Sequence, residues 1–135
     1  MKNKKKKIIL AVIISILIIM AFIIKIYNKP HINVTKTLAK FNVTSQKLTD
    51  DFLTDEDNAN KKYVNQIIQV SGTIAEVDQR IILIKDVNSD SDIQCNFKKS
   101  IMDNDLKNGQ KIIVKGLCTG YLLDVVLIDC VLVKK

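Results

Sequence analysis

Three cysteines are the residues of this chain with the clearest capacity for chemistry: Cys95, Cys118 and Cys130. In an oxidising compartment two thiols can join in a disulfide, and a set of three would leave one unpaired. A free cysteine can equally serve as a small hydrophobic side chain in a protein core. The composition of the chain leaves both interpretations open.

The other groups with chemical potential favour structural roles. His31 is the only histidine, and its polar surroundings indicate a solvated linker residue rather than a base. The acidic run 55–57 fits the first turn of a helix better than a cation site, because carboxylates stabilise helix N-termini. Residues 86–92 begin like a calcium-binding loop, but Ser91 replaces the required glycine and Phe97 the bidentate acid. We therefore expect a polar turn at 86–92.

Motifs of known enzyme classes do not occur in the sequence. It has no nucleophile motif, no phosphate-binding or dinucleotide-binding glycine pattern and no zinc-ligand spacing. We therefore expect a protein that is not an enzyme, with no catalytic residue, no metal and no cofactor.

Basic residues are concentrated at the N-terminus. Seven of the 21 lysines and arginines occur in the first 29 positions, and the other 14 are balanced by the 14 acidic residues. From Gln66 onward the only aromatic residues are Phe97 and Tyr121. Because single-stranded nucleic acid is bound by a basic groove with stacking aromatics, we do not expect nucleic acid as a partner.

An apolar run follows the lysines of residues 2–7. Residues 8–24 contain Ser15 as their only polar side chain, and a helix through them spans about 26 Å against a bilayer core of about 30 Å. Extension to Tyr27 reaches the full thickness. No small residues of the cleavage type follow, which favours an uncleaved signal anchor over a cleaved signal peptide.

The charge asymmetry around this run predicts a topology. Lysines before a first membrane helix hold the N-terminus in the cytoplasm. We expect a cytoplasmic basic tail at 1–7, a transmembrane signal anchor at 8–27, a spacer at 28–43 and an exported domain at 44–135. The chain is thus expected to be a single-pass membrane protein with a periplasmic or extracellular domain.

The exported domain begins with a helical pattern and continues with strands. Thr44 is the expected N-cap of a helix from about Ser45, with a break at 54–55. One face of this segment is apolar: Leu48, Phe52, Ala59 and Tyr63. The predicted strands are 67–77, 80–87, 92–97, 111–118 and 123–133, with a helix-like segment at 99–106. Gly72 stands inside the first of them, a usual position for a bulge or a barrel bend.

Three strands, a short helix and two further strands are the order of an OB-fold, a small Greek-key barrel. An SH3-like barrel also has five strands, but the long insertion before the fourth strand favours the OB-fold. The predicted fold class is all-β with a small α contribution: a five-stranded OB-fold barrel preceded by a short helical segment and a transmembrane helix.

Several sequence stretches of this domain resemble motifs of a known protein family. They are Asp55–Glu56, Ala59–Tyr63, Ile68–Ile74, Ile93–Phe97, Gly109, Val114–Gly120, Asp124–Leu127 and Cys130. Over residues 44–133 the chain resembles the tRNA_anti-like family of bacterial membrane-anchored and exported OB-fold proteins. The resemblance implies an OB-fold domain and supplies no catalytic residue.

The strand order predicts which cysteines can pair. Alternation points all three inward, and the predicted hairpin sets Cys118 opposite about Asp124, which leaves Cys130 about 20 Å away along the strand. A disulfide needs Cα atoms within about 7 Å. In an OB barrel the third strand runs beside the fifth. If a disulfide forms, we expect it to join Cys95 to Cys130 and to leave Cys118 as a buried thiol.

Taken together, the sequence predicts a membrane-anchored OB-fold binding or interaction module outside the cytoplasm, with an unidentified ligand. A structural component of an envelope protein assembly is the alternative, and a nucleic-acid-binding OB domain is less favoured. The expected partners are the membrane, through one N-terminal helix, and a protein of the envelope. Arg80, Lys85 and Tyr121 flank the barrel face and are the candidate ligand contacts.

Overall fold

An apolar helix opens the chain in the computed structural model, which describes residues 2–27 and 32–133. The helix, α1, runs from Lys2 to Tyr27. An 18-residue window within its segment Lys4–Ile26 has a mean hydropathy of 3.1, and none of that window is buried against protein. Length and composition suffice for crossing a membrane, as an anchor or as a signal sequence. The predicted linker residue His31 lies outside the described residues.

The rest of the chain forms a second compact unit that begins at Asn33. Its first residues are not a free spacer. The backbone N–H groups of Lys36 and Thr37 donate to the carbonyl oxygen of Asn33, at 3.1 and 3.0 Å. Val34 is buried, and Lys115 Nζ donates to the carbonyl oxygens of Thr35 and Thr37. Residues 33–37 are therefore fastened to the barrel.

Strand β1, Phe41–Thr44, overlaps the end of the segment predicted to be a spacer at 28–43. It pairs in parallel with the next strand along the sheet, Phe41 opposite Ile68. The ring of Phe41 packs edge-on against Tyr63 with 5.3 Å between centroids. The alternation of only four residues is too short to predict a strand, and the pairing partner is more than 20 positions away.

Two short helices follow directly: α2, Ser45–Thr54, and α3, Glu56–Tyr63. Thr44 Oγ1 accepts a hydrogen bond from the N–H of Lys47 at 3.2 Å, so the predicted N-cap is confirmed. Asp55 ends α2 and caps α3 by accepting from the N–H of Asn58 at 3.1 Å. The break at 54–55 and the helix-start role of residues 55–57 are thereby confirmed as well.

The two helices are joined by the carboxylate of Asp51. It accepts a hydrogen bond from Tyr63 Oη at 2.6 Å and ion pairs with Lys47 and Lys62. Partial burial would raise the pKa of the Asp51 carboxyl, but the hydrogen bonds from Lys47, Tyr63 and Lys62 outweigh burial and lower the pKa to about 2. Asp51 is therefore ionised at neutral pH and holds the end of α3 against α2.

Five further strands close the barrel. They are β2 (Ile67–Val77), β3 (Ile81–Lys85), β4 (Ile93–Phe97), β5 (Lys111–Tyr121) and β6 (Val125–Leu132). The sheet order is β1-β2-β3-β4-β6-β5, and β5 pairs again with β2. Strands β4 and β6 are parallel, whereas the other pairs within the barrel are antiparallel. This is the predicted OB-fold, a closed five-stranded barrel with β1 as an additional strand.

Two predicted details differ from the structure. The segment 99–106 forms only a one-turn 3₁₀ helix, Met102–Asn104, after which Asp105 adopts the left-handed conformation (φ 49°) and stops it. The turn expected between the predicted strands 111–118 and 123–133 lies further on, because β5 continues to Tyr121 with Gly120 at a φ of +124° inside the strand. Glycine tolerates this backbone conformation without steric cost.

Gly72 marks the place where β2 exchanges neighbours. Residues 67–73 pair with β5, and from Thr73 onward β2 also pairs with β3. The bulge itself lies two residues later, between Ile74 and Glu76. A Cβ on Gly72 would stand 2.3 Å from Cγ2 of Ile84 and 2.9 Å from Oγ of Ser45. Gly72 is thus required by close packing.

Substitution Gly72→Ala should lower the free energy of unfolding by about 1–3 kcal/mol, the cost of inserting a methyl group into a filled core. The measurement is urea unfolding of the full-length chain in detergent, followed by tyrosine fluorescence. Thr73→Ala, at a half-exposed neighbour, is the control and should change stability much less.

The additional change Ile84→Ala removes the clashing Cγ2 atom. The loss in the double variant should therefore be smaller than the sum of the two single losses. Additive losses, or an unaffected Gly72→Ala variant, would show that the packing at this position is looser than described.

Candidate functional site

The three cysteines lie inside the barrel, as the strand alternation predicts. Cys95 is on β4, Cys118 on β5 and Cys130 on β6, and all three are buried free thiols. Their surroundings are the aliphatic side chains of the core. Burial in such a core disfavours the thiolate, which is the reactive form of cysteine.

Cys95 and Cys130 contact each other across the parallel pair β4 and β6. Leu127 lies opposite Cys95, and Cys130 lies opposite Phe97, with an irregular register between them. A hydrogen bond between the two thiols, together with burial, raises the pKa of Cys95 well above its ordinary value. The two thiols are therefore close to each other, although both are free. The disulfide expected between Cys95 and Cys130 stays a prediction.

Cys118 occupies a different part of the barrel. It lies opposite Leu127, so the predicted pairing with Asp124 is wrong by three residues because β5 extends beyond 118. Cys130 is three residues further along β6, which is about 10 Å and still beyond the reach of a disulfide. Burial raises the pKa of the Cys118 thiol to about 11, although a hydrogen bond from the backbone of Gly120 works against this shift.

The candidate ligand contacts do not converge on one surface. Arg80 precedes β3 and Lys85 ends it, so the four residues 81–84 separate them. Lys85 Nζ lies 3.9 Å from a carboxylate oxygen of Asp92. The ring of Tyr121 stacks on Phe52 of α2 with 5.9 Å between centroids, so it contributes to packing. The shared role of Arg80, Lys85 and Tyr121 in one ligand site stays a prediction.

A continuous outer surface does exist on β3, β4 and β6, and we call it the β3–β4–β6 face. It is formed by Ile81, Leu83, Gln94, Asn96 and Val126, all half-buried and alternating with core residues. Ile81 lies opposite Asn96, Leu83 opposite Gln94, and Gln94 opposite Val126. The Gln94 amide donates to Asn96 Oδ1 at 3.1 Å, which orients both side chains. These five residues thus offer aliphatic and amide groups, and the ion pair between Lys85 and Asp92 lies at the end of the same surface.

An open groove of about 570 Å³ runs over Ser71, Gly72 and Thr73 of β2. Its volume is in the range of small-molecule sites. The charged groups at its margins are Asp86 and Lys111. Ser45 Oγ donates to Asp86 Oδ2 at 3.5 Å, so this carboxylate is partly engaged within the protein. The groove combines hydroxyl and aliphatic groups without a group activated for chemistry.

The loop 86–92 forms the predicted polar turn. The N–H of Ser89 donates to the carbonyl oxygen of Asp86 at 3.2 Å, and Asp86 Oδ1 accepts from the N–H of Asn88. Ser89 is buried, and its hydroxyl donates to Thr49 Oγ1 of α2 at 2.8 Å. Among residues 2–27 and 32–133, no three His, Cys, Asp or Glu side chains are grouped as metal ligands would be.

The tRNA_anti-like family matches residues 1–132 of this chain, which includes α1 as well as the barrel. The chain belongs to the tRNA_anti-like family. Curated protein sequences give no match.

Two solved structures are similar to the chain. One is a lipoprotein of Klebsiella pneumoniae whose name proposes nucleic-acid binding; it is 19% identical, with a TM-score of 0.57 over 68% of this chain and 91% of that chain. The other is the telomere capping protein Ten1 from Saccharomyces pombe, 13% identical, with a TM-score of 0.46 over 70% of this chain and 81% of that chain. The Klebsiella protein shares the fold of the barrel unit.

All three thiols should resist alkylation in the folded protein, because burial hides them and holds Cys95 and Cys118 in the thiol form. The measurement is iodoacetamide labelling at pH 8 with and without urea, followed by peptide mapping without reductant. Ser100→Cys, at an exposed position, is the control and should label at once.

If the isolated protein is oxidised, the mapping should show Cys95 joined to Cys130 and Cys118 free. Rapid labelling of Cys118 in the folded state would contradict its described burial. A Cys118–Cys130 peptide would contradict the register of β5 and β6.

Proposed function

We propose that this chain is a single-pass membrane protein whose barrel, held outside the cytoplasm by α1, binds a protein of the cell envelope and carries out no enzymatic reaction. The proposal rests on one observation: the same chain contains an OB-fold barrel and an apolar helix that no other part of the described protein covers. A helix that contains an 18-residue window of mean hydropathy 3.1, none of it buried, is stable in a bilayer and not in water.

The orientation follows from charge and processing. Lys2 and Lys4 to Lys7 precede the apolar segment, and cationic residues of this kind stay in the cytoplasm. The residues after the helix lack the small side chains that a signal peptidase needs. An uncleaved anchor therefore accounts for the N-terminus better than a cleaved signal sequence.

The β3–β4–β6 face supports a protein partner. OB-fold barrels bind their ligands on this side of the sheet. The aliphatic and amide side chains of Leu83, Gln94 and Val126 suit the side chains and backbone of a protein. A structural role in an envelope assembly would use the same kind of contact and is the alternative.

Nucleic-acid binding is the less favoured function. The name of the similar Klebsiella lipoprotein suggests it. The chemistry of this chain argues against it, because the five residues of the β3–β4–β6 face include no cation to pair with phosphate and no aromatic ring to stack on bases. Tyr121, one of two aromatics after residue 66, stacks on Phe52.

A reporter fused after Lys135 tests the topology. A phosphatase that folds only outside the cytoplasm should be active there, and a reporter restricted to the cytoplasm should be inactive. Replacing Lys4 to Lys7 by glutamate is the matched control and should reduce export, since these charges set the orientation. Activity of the cytoplasmic reporter would reverse the proposed orientation, and recovery of a soluble, trimmed protein would show a cleaved signal.

Crosslinking of the full-length protein in its native membrane tests the partner. A protein should be recovered with it, in variable amounts for a binding module and in a fixed ratio for an assembly component.

A fragment from Pro30 to Lys135 should show no salt-dependent binding of single-stranded DNA or RNA at micromolar concentration. Tight binding that weakens steeply with salt would favour the nucleic-acid function instead. The full chain, which carries the lysines of residues 2–7, is measured beside the fragment to show how much the basic tail contributes to nucleic-acid binding.

A further inference from the structure

Three of the four most exposed aliphatic side chains of the barrel unit belong to two loops that are bonded to each other. Among residues 33–133, those more than four-fifths exposed are Val87 at 97%, Leu38 at 89%, Leu123 at 85% and Leu122 at 84%. Val87 belongs to the loop after β3, and Leu122 and Leu123 belong to the loop after β5. Single exposed aliphatics are common on protein surfaces, whereas grouped ones mark interaction sites.

These two loops are bonded to each other, and we call residues 86–92 and 122–124 together the two-loop tip. Ser91 Oγ donates to the carbonyl oxygen of Leu123 at 3.3 Å. The N–H of Asp92 donates to Asp124 Oδ1 at 3.0 Å, and the N–H of Val125 donates to the carbonyl oxygen of Asp92 at 3.1 Å. The exposed aliphatics therefore stand on a backbone that is already ordered, which reduces the entropy lost on binding.

The charge of the two-loop tip is of one sign. Its ten residues include four aspartates, at 86, 90, 92 and 124, and no lysine or arginine. The adjacent cation, Lys85, is paired with Asp92. Carboxylates around the aliphatic side chains repel the phosphates of anionic lipids and of nucleic acids, so neither a bilayer surface nor a nucleic acid fits this tip.

We infer that the two-loop tip docks on a protein partner that presents an aliphatic pocket bordered by lysine or arginine side chains. The inference rests on the proposed function and adds a second contact besides the β3–β4–β6 face, with its own position and chemistry. Leu122 and Leu123 enter the pocket, Val87 packs at its margin, and the aspartates face the cations. Opposite charge at the rim selects this partner over acidic surfaces and speeds the encounter.

The test is photo-crosslinking in the native membrane with the full-length chain. Leu123 is replaced by p-benzoylphenylalanine, and the crosslinked segment of the partner is sequenced by mass spectrometry. We expect a segment with aliphatic residues and at least two lysines or arginines beside them. Leu38, equally exposed but outside the tip, is the control position and should give no such adduct.

Charge reversal provides the second readout. Asp90→Lys should reduce the yield of the adduct at least tenfold, while Asp103→Lys, the same change at an exposed position on the 3₁₀ helix, should leave it unchanged. Equal yields for the two variants would overturn the inference. The inference would also be overturned by any of four other results: an acidic partner segment, an adduct with lipid or nucleic acid, an adduct with a second copy of this chain, or an adduct no stronger than that from Leu38.

A third crosslinker position separates this inference from the proposed function. Asn96 lies on the β3–β4–β6 face, four residues after Asp92 and therefore about 13 Å from it along the strand. A protein adduct from Asn96 with none from Leu123 would overturn the docking tip and leave the binding module standing. The absence of protein adducts from both positions would overturn both proposals.

Discussion

The pairing of β2 with three other strands is the constraint on which the barrel unit depends. One edge of β2 pairs with β5 through residues 67–73, and the other pairs first with β1 and then with β3. The exchange takes place beside Gly72, where Ile84 of β3 and Ser45 of α2 approach the backbone. The position of α2 over the barrel and the path of β3 therefore both depend on the absence of one methyl group.

Features that depend on short-range patterns could be predicted from the sequence. The long strand 67–77, the cap at Thr44 and the break at Asp55 each follow from a local period or from one side chain bonding a nearby N–H. The inward direction of the cysteines follows from alternation alone. Such features require no knowledge of which distant segment they contact.

Features that depend on distant partners could not be predicted in the same way. Strand β1 exists because the edge of β2 is available to it, and the register of β5 with β6 depends on Gly120 continuing the strand where a turn was expected. The segment 99–106 is tied to the barrel by the N–H of Ile101, which donates to the carbonyl oxygen of Gln79 at 2.9 Å. The two-loop tip joins residues more than 30 positions apart, so its charge and aliphatic groups appear together only in the folded chain.

Strand β6 is the last strand of the barrel along the chain, yet it joins β4 to β5. If α1 stays in the bilayer and the rest of the chain is exported in sequence order, as proposed, β6 emerges after every strand it must pair with. During that interval β4 and β5 have unpaired edges, and their thiols face an oxidising exterior before Cys130 arrives. Translocation rate and the supply of folding chaperones would then govern how much correctly closed barrel accumulates, independently of how stable the finished barrel is.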